Sequence, residues 1–176
     1  MHAPASVGRV TVRELIARAL NVHVGSWSDL ARVGGPFADD ADLHLSWLID
    51  TALRTLDPEV PTWVVAWPAS MTASAGLEPT DPTVTQRSEL YWRGLEIADG
   101  FPFVRQEAWQ RARTADENAA REGAGLGRVT EDERFLAAVA QLPEGAGMAL
   151  GVDRLCLAVM GGQRLSDVMA FGWEER

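Results

Sequence analysis

The chain has 176 residues and a mass of 19.1 kDa, with 47% hydrophobic and 23% charged residues; it can bury one core and is too apolar for a disordered tail. All 16 basic residues are arginine, set against 25 acidic ones, for a net charge of −9 and a pI near 4.8. This excludes a general nucleic-acid binder, which needs a basic face to displace phosphate counterions, although a local arginine cluster can still hold a nucleotide.

The opening residues lack the basic and apolar regions of a signal peptide, and the longest apolar runs, 63–69 and 155–160, are too short to cross a bilayer. A single cysteine, Cys156, excludes an internal disulfide. One cytoplasmic domain is the expectation. Thr11-Val12-Arg13-Glu14 is a capping box, followed by Leu15, Ala19 and Leu20 on one helical face. Ser28 is placed to cap a short helix over 29–33 that stops at Gly34-Gly35-Pro36. A longer helix starts near Asp39-Asp40, where acids suit the positive end of the helix dipole. Its apolar positions Leu43, Trp47, Leu48, Ala52 and Leu56 recur at helical spacing.

The β-branched and aromatic run 62–67, closed by Pro68, predicts a buried strand. Residues 69–85, rich in Ala, Ser, Thr, Pro and Gly, read as a long functional loop. Segments 88–93 and 95–98 read as adjoining extended stretches bent at Gly94. A charged amphipathic helix with a solvated face is expected over 104–121. A second capping box, Thr130-Glu131-Asp132-Glu133, starts a helix whose Phe135, Leu136, Val139 and Leu142 face inward. A small-residue strand over 145–150 runs into a helix over 152–160, and a last short helix begins near Ser166. Helices around a few non-local strands give an α+β class, an antiparallel β-sheet flanked by helices.

Two clusters carry chemistry. Gly145, Gly147 and Gly151, with Ala146 and Ala149, leave room for a ligand against strand backbone. Arg154 emerges on the first turn of the next helix, and its permanent charge and forked donors suit a polyphosphate. On the local sequence alone, the same residues suit tight helix–sheet packing better, with Arg154 paired to an acid. Glu89 and Glu96 flank Gly94 in otherwise apolar extended runs. Buried carboxylates must be paired or metal-bound, and oxygen ligands without histidine or thiolate suit Mg²⁺ carried on substrate phosphates. Strand alternation would instead leave these acids facing water. Trp92 is placed to line a pocket beside them. His2, His23 and His44 lack metal-ligand spacing, and Ser70 and Ser74 lack a nucleophile-elbow context. Cys156, inside an apolar helical run, reads as an inert small hydrophobe.

The block Arg87-Ser88-Glu89-Leu90-Tyr91-Trp92-Arg93-Gly94-Leu95-Glu96-Ile97-Ala98-Asp99-Gly100-Phe101 resembles the R-x-E-L-Y-x-x-G-x-E-x-A-N-G-F element of class II lysyl-tRNA synthetases, and residues 147–155 resemble class II motif 3. Pro68-Ala69-Ser70, Ala149 and the tail Leu165-Ser166-Asp167-Val168-Met169-Ala170-Phe171 extend the resemblance to the truncated paralogues that modify elongation factor P. It implies a partial class II synthetase core, one domain over residues 1–176 that carries motif 3 and lacks motifs 1 and 2. It further implies that Glu89 and Glu96 hold Mg²⁺ on the phosphates of ATP. Arg154, on the helix opened by Gly151, would bind the ATP tail and cover the adenine. Trp92, Asp99, Phe101, Phe103, Gly147 and Ala149 would line the amino-acid pocket. The implied activity is ATP-dependent adenylation of an amino acid and its transfer to an acceptor; the alternative is a non-catalytic paralogue that binds a metabolite, regulates or assembles.

Two departures qualify the resemblance. Where the family reads N-G-F-x-E, this chain reads Asp99-Gly100-Phe101-Pro102-Phe103, so Phe103 stands where the family places the glutamate for the lysine ε-ammonium. An ammonium left unpaired there costs roughly 3–5 kcal/mol, and a small, less basic amino acid is expected in place of lysine. Without motifs 1 and 2 the sheet edges are uncovered, which predicts a homo-oligomer or a partner chain supplying the other half. No anticodon-binding domain is read in the chain, and direct tRNA binding is not expected.

Overall fold

The β-branched and aromatic run from Thr62 to Trp67, buried at Thr62, Val64, Val65 and Trp67, forms the strand that pairs with β strands on both sides. The computed structural model describes residues 6–37, 39–72 and 75–172. In chain order the elements are β1 (Gly8–Thr11), α1 (Val12–Leu20), α2 (Ala41–Leu53), β2 (Thr62–Pro68), β3 (Leu77–Glu78), β4 (Asp81–Trp92) and β5 (Leu95–Pro102). They continue with α3 (Glu107–Gly123), α4 (Glu133–Val139), β6 (Ala146–Leu150) and α5 (Val152–Met160). Short 3₁₀ turns lie at Trp27–Arg32, Ala69–Met71 and Leu165–Asp167.

The sheet order is β1-β2-β4-β5-β6, with β3 on β4. Only β1–β2 is parallel among these pairs. The core sits where α1 and α2 cover one face of β1 and β2: Val12, Ile16, Leu48, Ala52 and Val64 are fully buried there, with Val10 and Trp67 beside them. No helix among the described residues is long and apolar enough to cross a membrane.

Local signals place most helix starts. Thr11 accepts from the Glu14 N–H while Glu14 accepts from the Thr11 N–H, the reciprocal box read from sequence. Asp40 caps α2. Other starts move. Ser26, not Ser28, precedes the first 3₁₀ turn, where Asp29 accepts from the Gly25 and Ser26 amides. Asp132, not Thr130, caps α4, and α3 begins at Glu107 rather than 104.

The expected loop over 69–85 contains β3 and the first residues of β4, 81–85. Val84 and Thr85 are buried opposite Pro68 and Trp67. Arg13 of α1 holds Asp81 at 3.0 Å, and the Trp27 indole donates to the Thr83 carbonyl. These are long-range partners that composition cannot show. Burial also departs at four positions: Leu43, Phe135 and Leu142 are exposed, as is Cys156. In α3, Arg111 bridges Glu107, Glu131 and Glu133, tying α3 to the start of α4.

Candidate functional site

The expected bend at Gly94 is a hairpin turn. Arg93 and Gly94 both take positive φ (51° and 73°), the conformation that joins two strands through a two-residue loop. The turn folds β5 back on β4, so Glu89 faces Asp99 across the ladder and Tyr91 faces Glu96. Partners across a ladder share a face. Val64, Glu89, Asp99 and Ala149 therefore form one row over four strands. The site acids lie on the face whose β1–β2 end is the core.

Glu89 is only 2% exposed. Its two oxygens are engaged separately, one by Arg87 at 2.5 Å and the other by the Tyr91 hydroxyl, which donates at 2.5 Å. Arg87 also forks Asp99, Nε to Oδ1 at 2.9 Å and Nη2 to Oδ2 at 3.1 Å, and lies over the Trp67 ring at 5.0 Å. Arg87 and Tyr91 were not singled out from sequence as site residues. Their signal is the R-x-E-x-Y spacing, which on a strand sets all three side chains on one face.

Burial pushes the Glu89 carboxyl above its ordinary 4.5, against the Tyr91 hydrogen bond and the Arg87 charge, which pull it down. The native state then holds this proton more tightly than the unfolded chain does. The associated stability is full below pH 4.5 and is lost as pH rises through the higher native value. Glu89→Gln has no proton to lose. The Tm of the parent minus that of the variant should therefore decline from about pH 4 to about pH 8. A difference that grew with pH would show that the ionised carboxylate is the form the fold prefers.

Glu96 is the accessible acid. Arg154 Nη1 lies 3.7 Å from its Oε2 and donates to its carbonyl at 3.1 Å. Gly151 heads α5 and donates to the Ile97 carbonyl at 2.9 Å, which seats the helix start against β5. Glu96, Arg154, Tyr91 and Trp92 line a cavity of about 500 Å³ between the hairpin and the end of α2, together with Arg54 and Arg93. The Trp92 indole N–H is buried, with no hydrogen-bond partner among the described residues. Arg93 stacks on Trp92 and donates to the Ala158 carbonyl, pinning the turn to the end of α5.

The other anticipated pocket residues are dispersed. Phe101 and Gly147 line a shallow groove with Ser88, Gly100 and Met148, and Phe103 lines another with Trp109. Gly147, the one glycine of β6, does not lie open as expected: the Phe103 ring lies over it, and a Cβ there would come within 2.9 Å of the ring. Ala149 is exposed and pairs with Asp99. His44 is buried in the helical layer and stacked on Trp47 at 5.9 Å. Ser70 is exposed in a 3₁₀ turn. His2 and Ser74 lie outside the described residues.

Comparison with known proteins gives the chain its family. Residues 5–175 match the family described as tRNA synthetases class II (D, K and N). An elongation factor P–(R)-β-lysine ligase of Edwardsiella ictaluri is 35% identical over 170 residues, 96% of this chain and 49% of the relative. The ligase of the same name from Proteus mirabilis is 44% identical over 114 residues, 64% of this chain and 35% of the relative. That of Histophilus somni is 34% identical over 162 residues, 91% and 47% respectively. The chain spans about half the length, or less, of these curated relatives.

Proposed function

This chain belongs to the class II tRNA synthetases (D, K and N), and on that footing we propose that it binds ATP with Mg²⁺ and takes part in activating an amino acid as its adenylate. The observation that carries the reading is the pairing of Arg154 with Glu96 at the wall of the 500 Å³ cavity, backed by buried Glu89. Arg154 is the cation for phosphate oxygens, able to swing from a partner that holds it loosely. Among the described residues no group of three or more His, Cys, Asp or Glu side chains forms a metal cage. The donor set instead fits a magnesium ion that arrives on phosphates and takes one or two carboxylates from the protein. Glu96 meets the ion first, because both Glu89 oxygens are engaged. When bound, Mg²⁺ would offset the charge that builds on the phosphates. The chain's own part is alignment: Arg154 orients the polyphosphate, and the Arg87 clamp holds Glu89 and Asp99 in fixed register behind it.

The relatives are named for (R)-β-lysine; in this chain Phe103 lies over Gly147, and Asp99 is locked in a two-point pair with Arg87. Neither offers a free carboxylate to an amine. We assign the site to a small amino acid without a side-chain ammonium, with the complementary half of the catalytic core supplied as a partner, in the cytoplasm where ATP is held. The test is the thermal stability of the full chain with Mg·ATP and with each amino acid. Mg·ATP should raise Tm by mass action, and lysine should not. No response to Mg·ATP would overturn the nucleotide reading, and a response to an amino acid alone would support a metabolite-binding paralogue instead.

A further inference from the structure

Trp92 carries a buried donor that the fold itself does not use. It is the last residue of β4, half-buried, and it lines the cavity of about 500 Å³ with Arg93, Glu96 and Arg154. Other indoles spend their N–H on the backbone: Trp27 donates to the Thr83 carbonyl at 2.9 Å and Trp67 to the Val64 carbonyl at 3.1 Å. Trp92 Nε1 is buried and meets no acceptor among the described residues. A buried donor left unpaired is costly, so one kept at a cavity wall points to an acceptor brought by a ligand. An indole N–H can only donate, which restricts the complement to an acceptor atom.

The surrounding charge says which acceptor. The cavity is lined by three guanidinium groups, Arg54, Arg93 and Arg154, and by three carboxylates, Asp50, Asp57 and Glu96. Arg54 is closed on Asp50, with Nε at 3.0 Å and Nη2 at 2.9 Å. Arg93 and Arg154 are held more loosely, 3.6 Å from Glu59 and 3.7 Å from Glu96. Arg93 also lies over the Trp92 ring at 5.4 Å. A cation over the ring face draws charge from the indole and sharpens its N–H as a donor to an anionic oxygen. Two loosely paired guanidinium groups beside a fixed neutral donor suit a phosphate, and the carboxylates remain for the metal it carries. We propose that Trp92 donates its indole N–H to a phosphate oxygen of the polyphosphate bound in this cavity, with Arg93 and Arg154 supplying the charge. The proposal rests on the nucleotide reading and deepens it, because it takes Trp92 out of the expected amino-acid pocket and sets it on the phosphates.

The test uses the full chain labelled with nitrogen-15, and as probes inorganic tripolyphosphate with Mg²⁺, Mg·ATP and adenosine. The indole resonance of Trp92, identified by its loss in Trp92→Phe or by backbone assignment should that variant not fold, is expected to move downfield with both polyphosphates and to stay in place with adenosine. In calorimetric titration Trp92→Phe should bind both polyphosphates about tenfold more weakly than the parent. A Trp92 indole that responds to neither polyphosphate, or a folded variant that binds both as the parent does, would overturn the proposal. So would a shift with adenosine, which would put the base on the donor. ATP binding with an unmoved indole ends this proposal alone. A tripolyphosphate response with no binding of ATP ends the nucleotide reading and leaves the phosphate contact standing.

Discussion

Arg87→Ala should cost roughly 3–5 kcal/mol of stability, the range for removing one partner of a buried ionic group. The guanidinium stands between buried Glu89 and half-buried Asp99 and rests on the Trp67 ring, so its loss leaves two like charges facing each other across one ladder rung. For a chain of this length the expected fall in Tm is about 6–20 °C. The deficit should shrink on acidification, because Glu89, already raised by burial, loses its counter-charge and takes up a proton earlier as pH falls. Asp99→Asn is the control: Arg87 keeps Glu89, and the effect should be smaller. Urea titrations of the three proteins at two pH values decide the matter. A loss below about 1 kcal/mol for Arg87→Ala would show that the strand acids tolerate burial without it.

Arg154→Ala should weaken Mg·ATP binding by roughly tenfold to hundredfold while barely changing the stability of the free protein. Its pair with Glu96 is loose and both side chains are partly exposed, so the resting contact contributes at most about 1 kcal/mol. A charge-assisted contact to phosphate is stronger, about 1.5–3 kcal/mol, which is roughly a tenfold to hundredfold loss of affinity. Calorimetric titration with Mg·ATP reads this directly, with Glu96→Gln as the companion that should weaken the metal-dependent part. Unchanged affinity in Arg154→Ala would remove the cation from the site and leave its position at the head of α5 as packing alone.

Some of the site was legible before any coordinates. Glu89, Glu96 and Arg154 stand out as charged groups in apolar runs, and alternation along β4 already puts Glu89 and Tyr91 on one side. The helix starts at Thr11 and Asp40 are written within four residues of chain, because a cap is a local hydrogen bond. Less visible was β3 with the first half of β4. Their Thr and Pro residues resemble a loop until Pro68, Trp67 and Arg13, all far away in sequence, lie across from them. Gly147 reads as open backbone for the same reason, since Phe103 reaches it only after the sheet has formed.

Family membership, the pair of acids, the arginine and the short-range caps were determined by the sequence alone, since each depends on residue type and near spacing. The tertiary structure alone decided that Arg87 clamps Glu89 and Asp99, that Glu96 is the acid left accessible, and that β6 ends the sheet among the described residues. These depend on which strands become neighbours and in what register, and long-range pairing and burial set both.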